Sequence, residues 1–162
     1  LISRSYSHDH KTFGILHEGL IGLFDDKLTE VTYKDLEEDV RKNYKNNQDG
    51  WLGITDKYWF TSLIPEKGIK YNSNFIYDNS LGNEKFQVDY LAQKILIEPK
   101  SEAEFNGYFF AGAKELSVLD NYTDTLKIKL FDRAVDFGWF YFLTKPLFKL
   151  LRFFNSLIGN FG

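Results

Sequence analysis

After Asp136 this 162-residue chain contains no acidic residue at all. The remainder, "FGWFYFLTKPLFKLLRFFNSLIGNFG", is aromatic and aliphatic, and Lys145, Lys149 and Arg152 are its only charges. A membrane span needs about 20 consecutive, mostly apolar residues. The longest charge-free run here is the ten residues 153–162, so a completed span is absent from it. A helix buried in a protein core would leave three cations desolvated. Lys145, Lys149, Arg152 and Ser156 are spaced by 4, 3 and 4, which puts them on one helical face. Leu143, Leu147, Leu150, Phe154, Leu157 and Phe161 fall on the other side, and Pro146 suits a first helical turn, where its missing N–H costs nothing. A narrow cationic face beside a broad aromatic one is the profile of a helix lying in a membrane interface. There the rings sit at headgroup depth and the lysines reach toward phosphate. On pattern alone, an amphipathic helix docked on its own domain fits equally well.

The charge break divides the chain. Residues 1–136 hold 17 basic and 23 acidic residues, a net of −6, and residues 137–162 carry +3. An acidic body argues against nucleic-acid binding, which needs a basic surface to displace condensed counterions. With no cysteine, disulfide frameworks, thiolate metal sites and cysteine nucleophiles are excluded. The length is enough for one domain with a hydrophobic core. The chain has no methionine and starts at Leu1, which reads as a piece of a longer protein.

Short apolar runs cut by turn formers fill the first two thirds. In "TFGILHEGLIGLFDDKLTEVTY", residues 12–33, Gly14, Gly19, Gly22 and Asp25-Asp26 predict strands joined by tight turns. The polar stretch 33–50 reads as a short solvated helix, with i,i+4 pairs such as Glu37 and Arg41, or as a loop. "GWLGITDKYWFTSLIPEKG" predicts a hairpin: Trp51, Leu52 and Ile54, a turn at 55–57, then 58–64, stopped by Pro65. Further strands are expected over 69–77, 85–91 and 104–111, with Ile95-Leu96-Ile97 just before Pro99. After Gly112 the spacing of Leu116, Leu119 and Leu126 predicts a helix. Strands first and helices last make an α+β chain, mainly β, whose β part is a sandwich or a portion of one.

Chemical motifs are weak. His17-Glu18 would be an acid/base pair on a mutarotase-like fold, but neighbours on a strand point to opposite faces. His8-Asp9-His10 lacks an obvious third ligand, so it reads as terminal tail. No phosphate-loop, dinucleotide or G-x-S-x-G motif occurs. Trp51, Tyr58, Trp59 and Phe60 are expected as sandwich core rather than as an apolar cleft for an unfolded chain. Catalytic residues, metal ligands and cofactors are therefore expected to be none.

Four ordered blocks carry a family resemblance: "LHEGLIGLFDDKLTEVTYKDL", "GWLGITDKYWFTSLIP", "FFAGAKELSVLDNY" and "RAVDFGWFYFLTKPLFKLLRFFNSLIGNFG". Together they resemble the large periplasmic domain of the YidC family of bacterial membrane protein insertases, from about Thr12 to Gly162. The sequence departs from that pattern at Tyr90-Leu91-Ala92-Gln93, where the family often has Gly-Pro after Tyr-Leu. The resemblance implies the later part of a β-supersandwich similar to galactose mutarotases, followed by C-terminal helices. It divides the chain into a sandwich over 1–112, a helical connector over 113–135 and an interfacial amphipathic helix over 136–162. Gly159–Gly162 would then stand at the threshold of a membrane span. Trp139, Phe140, Phe142, Leu147, Phe148, Leu151 and Phe154 would make apolar contact, with Lys145, Lys149 and Arg152 facing lipid phosphate.

The implied setting is the periplasmic side of the bacterial inner membrane. The implied partners are the lipid surface, Sec-translocon accessory subunits and nascent membrane-protein substrates. The family's insertion groove and its intramembrane arginine have no counterpart here, so Arg133 and Arg152 are not assigned that role. The implied function is support of membrane-protein insertion and folding, without enzymatic activity. A mutarotase-like carbohydrate-binding or carbohydrate-active domain is the alternative.

Overall fold

A computed structural model describes residues 1–5, 17–135, 146–147, 150–151 and 153–156. Nine strands and two helices lie among them: β1 (Ile2–Ser5), β2 (Gly19–Phe24), β3 (Lys27–Thr32), α1 (Tyr33–Asp39), β4 (Arg41–Asn47), β5 (Trp51–Thr55), β6 (Trp59–Ile64), β7 (Tyr71–Asp78), β8 (Lys85–Ala92), β9 (Tyr108–Ala113) and α2 (Leu116–Thr125). A 3-10 turn, Phe131–Ala134, follows α2. Every strand pairing is antiparallel. Sheet one runs β1-β8-β7-β4 and sheet two runs β3-β2-β5-β6-β9. The mainly β sandwich expected from the sequence is the observed architecture.

Alternation along the strands of sheet two builds two cores, one on each face. Leu20, Phe24, Leu52 and Ile54 point toward sheet one and pack with Tyr71, Phe75, Phe86 and Val88. Ile21, Leu23, Trp51, Phe60 and Ile64 point the other way, against Leu119 of α2, Ile128, Phe131 and Ala134. The layers are therefore sheet, sheet and helix, and the segment 116–135 is an integral layer. At the tightest point of the hairpin, Gly53 lies so close to Ser62 and the Thr61 carbonyl that a side chain would collide with backbone. That close approach explains a glycine in the middle of a strand.

The hairpin forms as expected, with the Asp56 N–H donating to the Trp59 carbonyl at 2.9 Å across the turn. The Asp25-Asp26 turn forms with both residues at positive φ, which Asp tolerates better than most residues. The polar stretch 33–50 resolves into α1 and then β4, a strand that neither sequence reading contained. Thr32 caps α1, accepting the Asp35 N–H at 3.1 Å. β4 is an outer strand, with an irregularity between Tyr44 and Asn47 that the Asn47 side chain bridges by donating to the Tyr44 carbonyl at 2.8 Å. Its residues are too polar to announce a strand. β9 starts at Tyr108, later than the expected 104, and β8 runs on through Ala92. The Gln93 N–H then donates to the Lys70 carbonyl at 3.0 Å, a bond that a proline at this position would lack.

Candidate membrane interface

Residues 126–135 carry the chain out of α2, and side chains from the sheet side pin them. The Trp51 indole N–H donates to the Lys129 carbonyl at 2.9 Å. Lys67 Nζ donates to the Leu126 carbonyl at 3.0 Å, and Lys129 Nζ pairs with Asp26 at 2.8 Å. Phe131 is fully buried, with its ring edge-on to Trp51 and to Phe110 at about 5.5 Å between centroids. Ala134 is buried beside it. The exit toward the acid-free segment is thereby fixed to the second core up to Val135.

Within that segment, residues 146–147, 150–151 and 153–156 are helical. Leu147, Leu150, Leu151 and Phe154 lie within one 100° arc of such a helix, and they are 45 to 52% exposed. Phe153 lies off that arc and is also exposed. Leucines at comparable spacing in α2 are buried, so docking on the chain's own sheet has not covered this arc. Of the residues singled out from the sequence, Leu147, Leu150, Leu151 and Phe154 are helical and half exposed. Trp139, Phe140, Phe142, Lys145, Phe148, Lys149 and Arg152 lie outside the described residues, as do Leu143, Leu157 and Phe161. Ser156 is exposed and bonds back to the Phe153 carbonyl at 2.7 Å. Among the described residues no helix is long and apolar enough to cross a membrane.

The chemical candidates sit elsewhere. His17 and Glu18 precede β2 rather than forming part of a strand, and His17 Nε2 lies 3.2 Å from the Leu20 carbonyl. His8-Asp9-His10 lies outside the described residues. Among the described residues no three His, Asp or Glu side chains gather as metal ligands would. Among the described residues a polar cluster joins β1 to the hairpin turn. Arg4 donates to the Tyr33 hydroxyl at 3.1 Å and pairs with Asp56, and Tyr33 donates to Asp56 Oδ1 at 3.2 Å. Burial, with the Asp56 charge adding to it, holds the Tyr33 phenol far above its ordinary range. A phenol so held keeps its proton at neutral pH, so the cluster acts as a clasp between elements.

Trp51 and Phe60 are core, as expected, but Tyr58 and Trp59 are not: both are almost two-thirds exposed. The alternation Trp59, Thr61, Leu63 against Phe60, Ser62, Ile64 was the available signal, because only one face of β6 can meet the helix layer. Exposure on the other face depends on how far sheet one extends, which the local sequence does not encode.

The family model for the YidC periplasmic domain matches residues 1–150. Proteins named membrane protein insertase YidC from Rickettsia felis, Rickettsia bellii and Rickettsia prowazekii are each 44% identical to this chain over all 162 residues. The chain spans 29% of the length of each of these relatives. A family model over 150 of the 162 residues and relatives 44% identical along the whole length show that the chain belongs to the YidC periplasmic-domain family.

Proposed function

We propose that this chain is the later, membrane-facing part of a YidC-type periplasmic domain, and that it holds and orients an insertase on the outer face of the bacterial inner membrane. The helix within 146–156 lies in the lipid interface, with Leu147, Leu150, Leu151 and Phe154 toward the acyl boundary. Lys145, Lys149 and Arg152, which lie outside the described residues, are the cations that the sequence spacing offers to lipid phosphate. The role is one of contact and orientation, with no chemical step assigned to any residue. Nascent membrane-protein segments and Sec-translocon accessory subunits are the polypeptide partners this position brings within reach.

One observation carries the reading: a leucine and phenylalanine arc that stays half exposed on a chain whose other helices bury theirs. The +3 charge of residues 137–162 beside a body of −6 supports it, because anionic lipid attracts the segment and repels the body. Vesicle flotation of the full chain tests it against a chain ending at Val135. Binding to anionic vesicles that is lost on truncation, with thermal stability unchanged, is the expected result. If truncation instead unfolds the sandwich, the segment is part of the core and the proposal fails.

A further inference from the structure

Between the end of α2 and the acid-free segment lie residues 126–135, whose only regular structure is the 3-10 turn. A plain linker of this kind stays in water and keeps its backbone in the common regions of φ and ψ. This one does neither. Ile128, Phe131 and Ala134, every third residue, are at most 4% exposed, and all three belong to the second core. Lys127 and Leu130 have φ of 55° and 50°, in the left-handed region that residues with a Cβ avoid. Each stands directly before a buried residue, so the backbone bends at both and drops Ile128 and Phe131 into the core.

Bends of this kind persist only where the surroundings over-determine them. The carbonyl immediately before each bend is held by a side chain from sheet two or its loops. Lys67, beyond β6, donates to the Leu126 carbonyl, and Trp51, at the start of β5, donates to the Lys129 carbonyl. A third tie joins Lys129 to Asp26 in the turn between β2 and β3. After the second bend the Arg133 N–H donates to the Leu130 carbonyl at 3.0 Å and closes the 3-10 turn. Three separate parts of the sheet therefore dictate the course of one short, irregular segment.

We propose that residues 126–135 form a preset joint, its course set at Lys127 and Leu130, that fixes where and in which direction the chain leaves the sandwich. The sandwich then meets the membrane in one pose instead of swinging freely, a consequence that rests on the membrane reading above. The joint is tested without lipid, by melting curves of the full chain. Glycine takes left-handed backbone freely, and β-branched valine does not. At position 127 and again at 130, the glycine variant (Lys127→Gly, Leu130→Gly) is expected to melt above the valine variant (Lys127→Val, Leu130→Val) by at least about 2 °C. Equal melting temperatures within each pair would overturn the joint.

The pose is read on anionic vesicles. The chain has no cysteine, so single spin labels can be introduced through Lys27→Cys, Lys57→Cys, Asn43→Cys and Asn121→Cys. These positions are exposed. The first two lie at opposite ends of sheet two, the third on sheet one and the fourth on α2. Relaxation by a nickel-chelating lipid is expected to vary at least about threefold among the four, and to even out when a flexible Gly/Ser stretch is inserted after Val135. Vesicle binding with even relaxation, or a variation that survives the insertion, would overturn the pose and leave the membrane reading intact. Absence of binding would defeat the pose and the membrane reading together.

Discussion

α2 and the terminal helical residues are built from the same materials and meet different fates. In α2, Leu116 and Leu119 are buried against the sheet, and the helix belongs to a core that includes Trp51 and Phe131. In the terminal residues Leu147, Leu150, Leu151 and Phe154 remain half in water. Helical spacing of leucines is common to both, so amphipathicity by itself does not identify a membrane helix. What separates them is charge and available surface: α2 contains Asp120 and Asp124, whereas residues 137–162 carry only cations.

The largest effects are expected where the second core is densest. Trp51→Ala removes a fully buried indole, its edge-on contacts with Phe60 and Phe131, and its bond to the Lys129 carbonyl. A loss of about 3–5 kcal/mol, comparable to the whole stability of a marginal domain, is expected from chemical denaturation. It should also release the exit segment 126–135, seen as faster hydrogen exchange there. Retention of full stability would mean that α2 and the 3-10 turn are not a true layer.

The comparison between the helices sharpens in a matched pair. Leu119→Ala is expected to cost about 2–5 kcal/mol, because Leu119 is completely buried. Leu150→Ala, at 49% exposure, is expected to change stability in water by no more than about 0.5 kcal/mol. Equal losses in urea unfolding would erase the distinction between the two helices.

How much of this was readable in the sequence follows from which partner each residue needed. The hairpin was legible because Trp51–Ile54, the turn and Pro65 carry their signal locally. α2 was legible from its leucines. β4 was not, because Arg41–Asn47 is an outer strand whose membership depends on pairing with β7, 24 to 35 residues away. Trp59 was misplaced for a related reason, since its exposure is decided by where sheet one stops, whereas Tyr58 lies in the turn before β6 rather than in the strand. In the candidate interface, the helical arc of Leu147, Leu150 and Phe154 was legible from period alone, and Leu151 was added to it only by the family resemblance. The arc's lack of cover was not legible, because the same period also fits a docked helix.

A smaller effect separates the inter-sheet core from the terminal residues by pH. Burial pushes the Tyr71 phenol up to about 12, against about 10 in an unfolded chain. The unfolded state then loses its proton first as pH rises. This contribution to stability is complete below about pH 10 and is lost progressively between about 10 and 12. The Tyr33 phenol, raised in the same direction chiefly by burial, adds to the loss. Denaturant midpoints measured from pH 8 to 12 should fall over that window, and Tyr71→Phe should reduce the fall. Among the described residues the Tyr71 hydroxyl makes at most a weak bond, to the Gly50 backbone, so its removal at pH 7 is expected to cost no more than about 1 kcal/mol. A flat profile would show that these phenols are wetter than the fold implies.

The most direct measurement is co-flotation of the intact 162-residue chain with vesicles of neutral and of anionic lipid, beside a Leu147→Ser/Leu150→Ser/Phe154→Ser variant. Strong binding to anionic vesicles is predicted, weakened by at least about tenfold in the triple variant, which corresponds to about 1.4 kcal/mol, with the melting temperature in solution unchanged. Equal flotation of both proteins, or none by either, would contradict the assignment of this arc to the lipid surface.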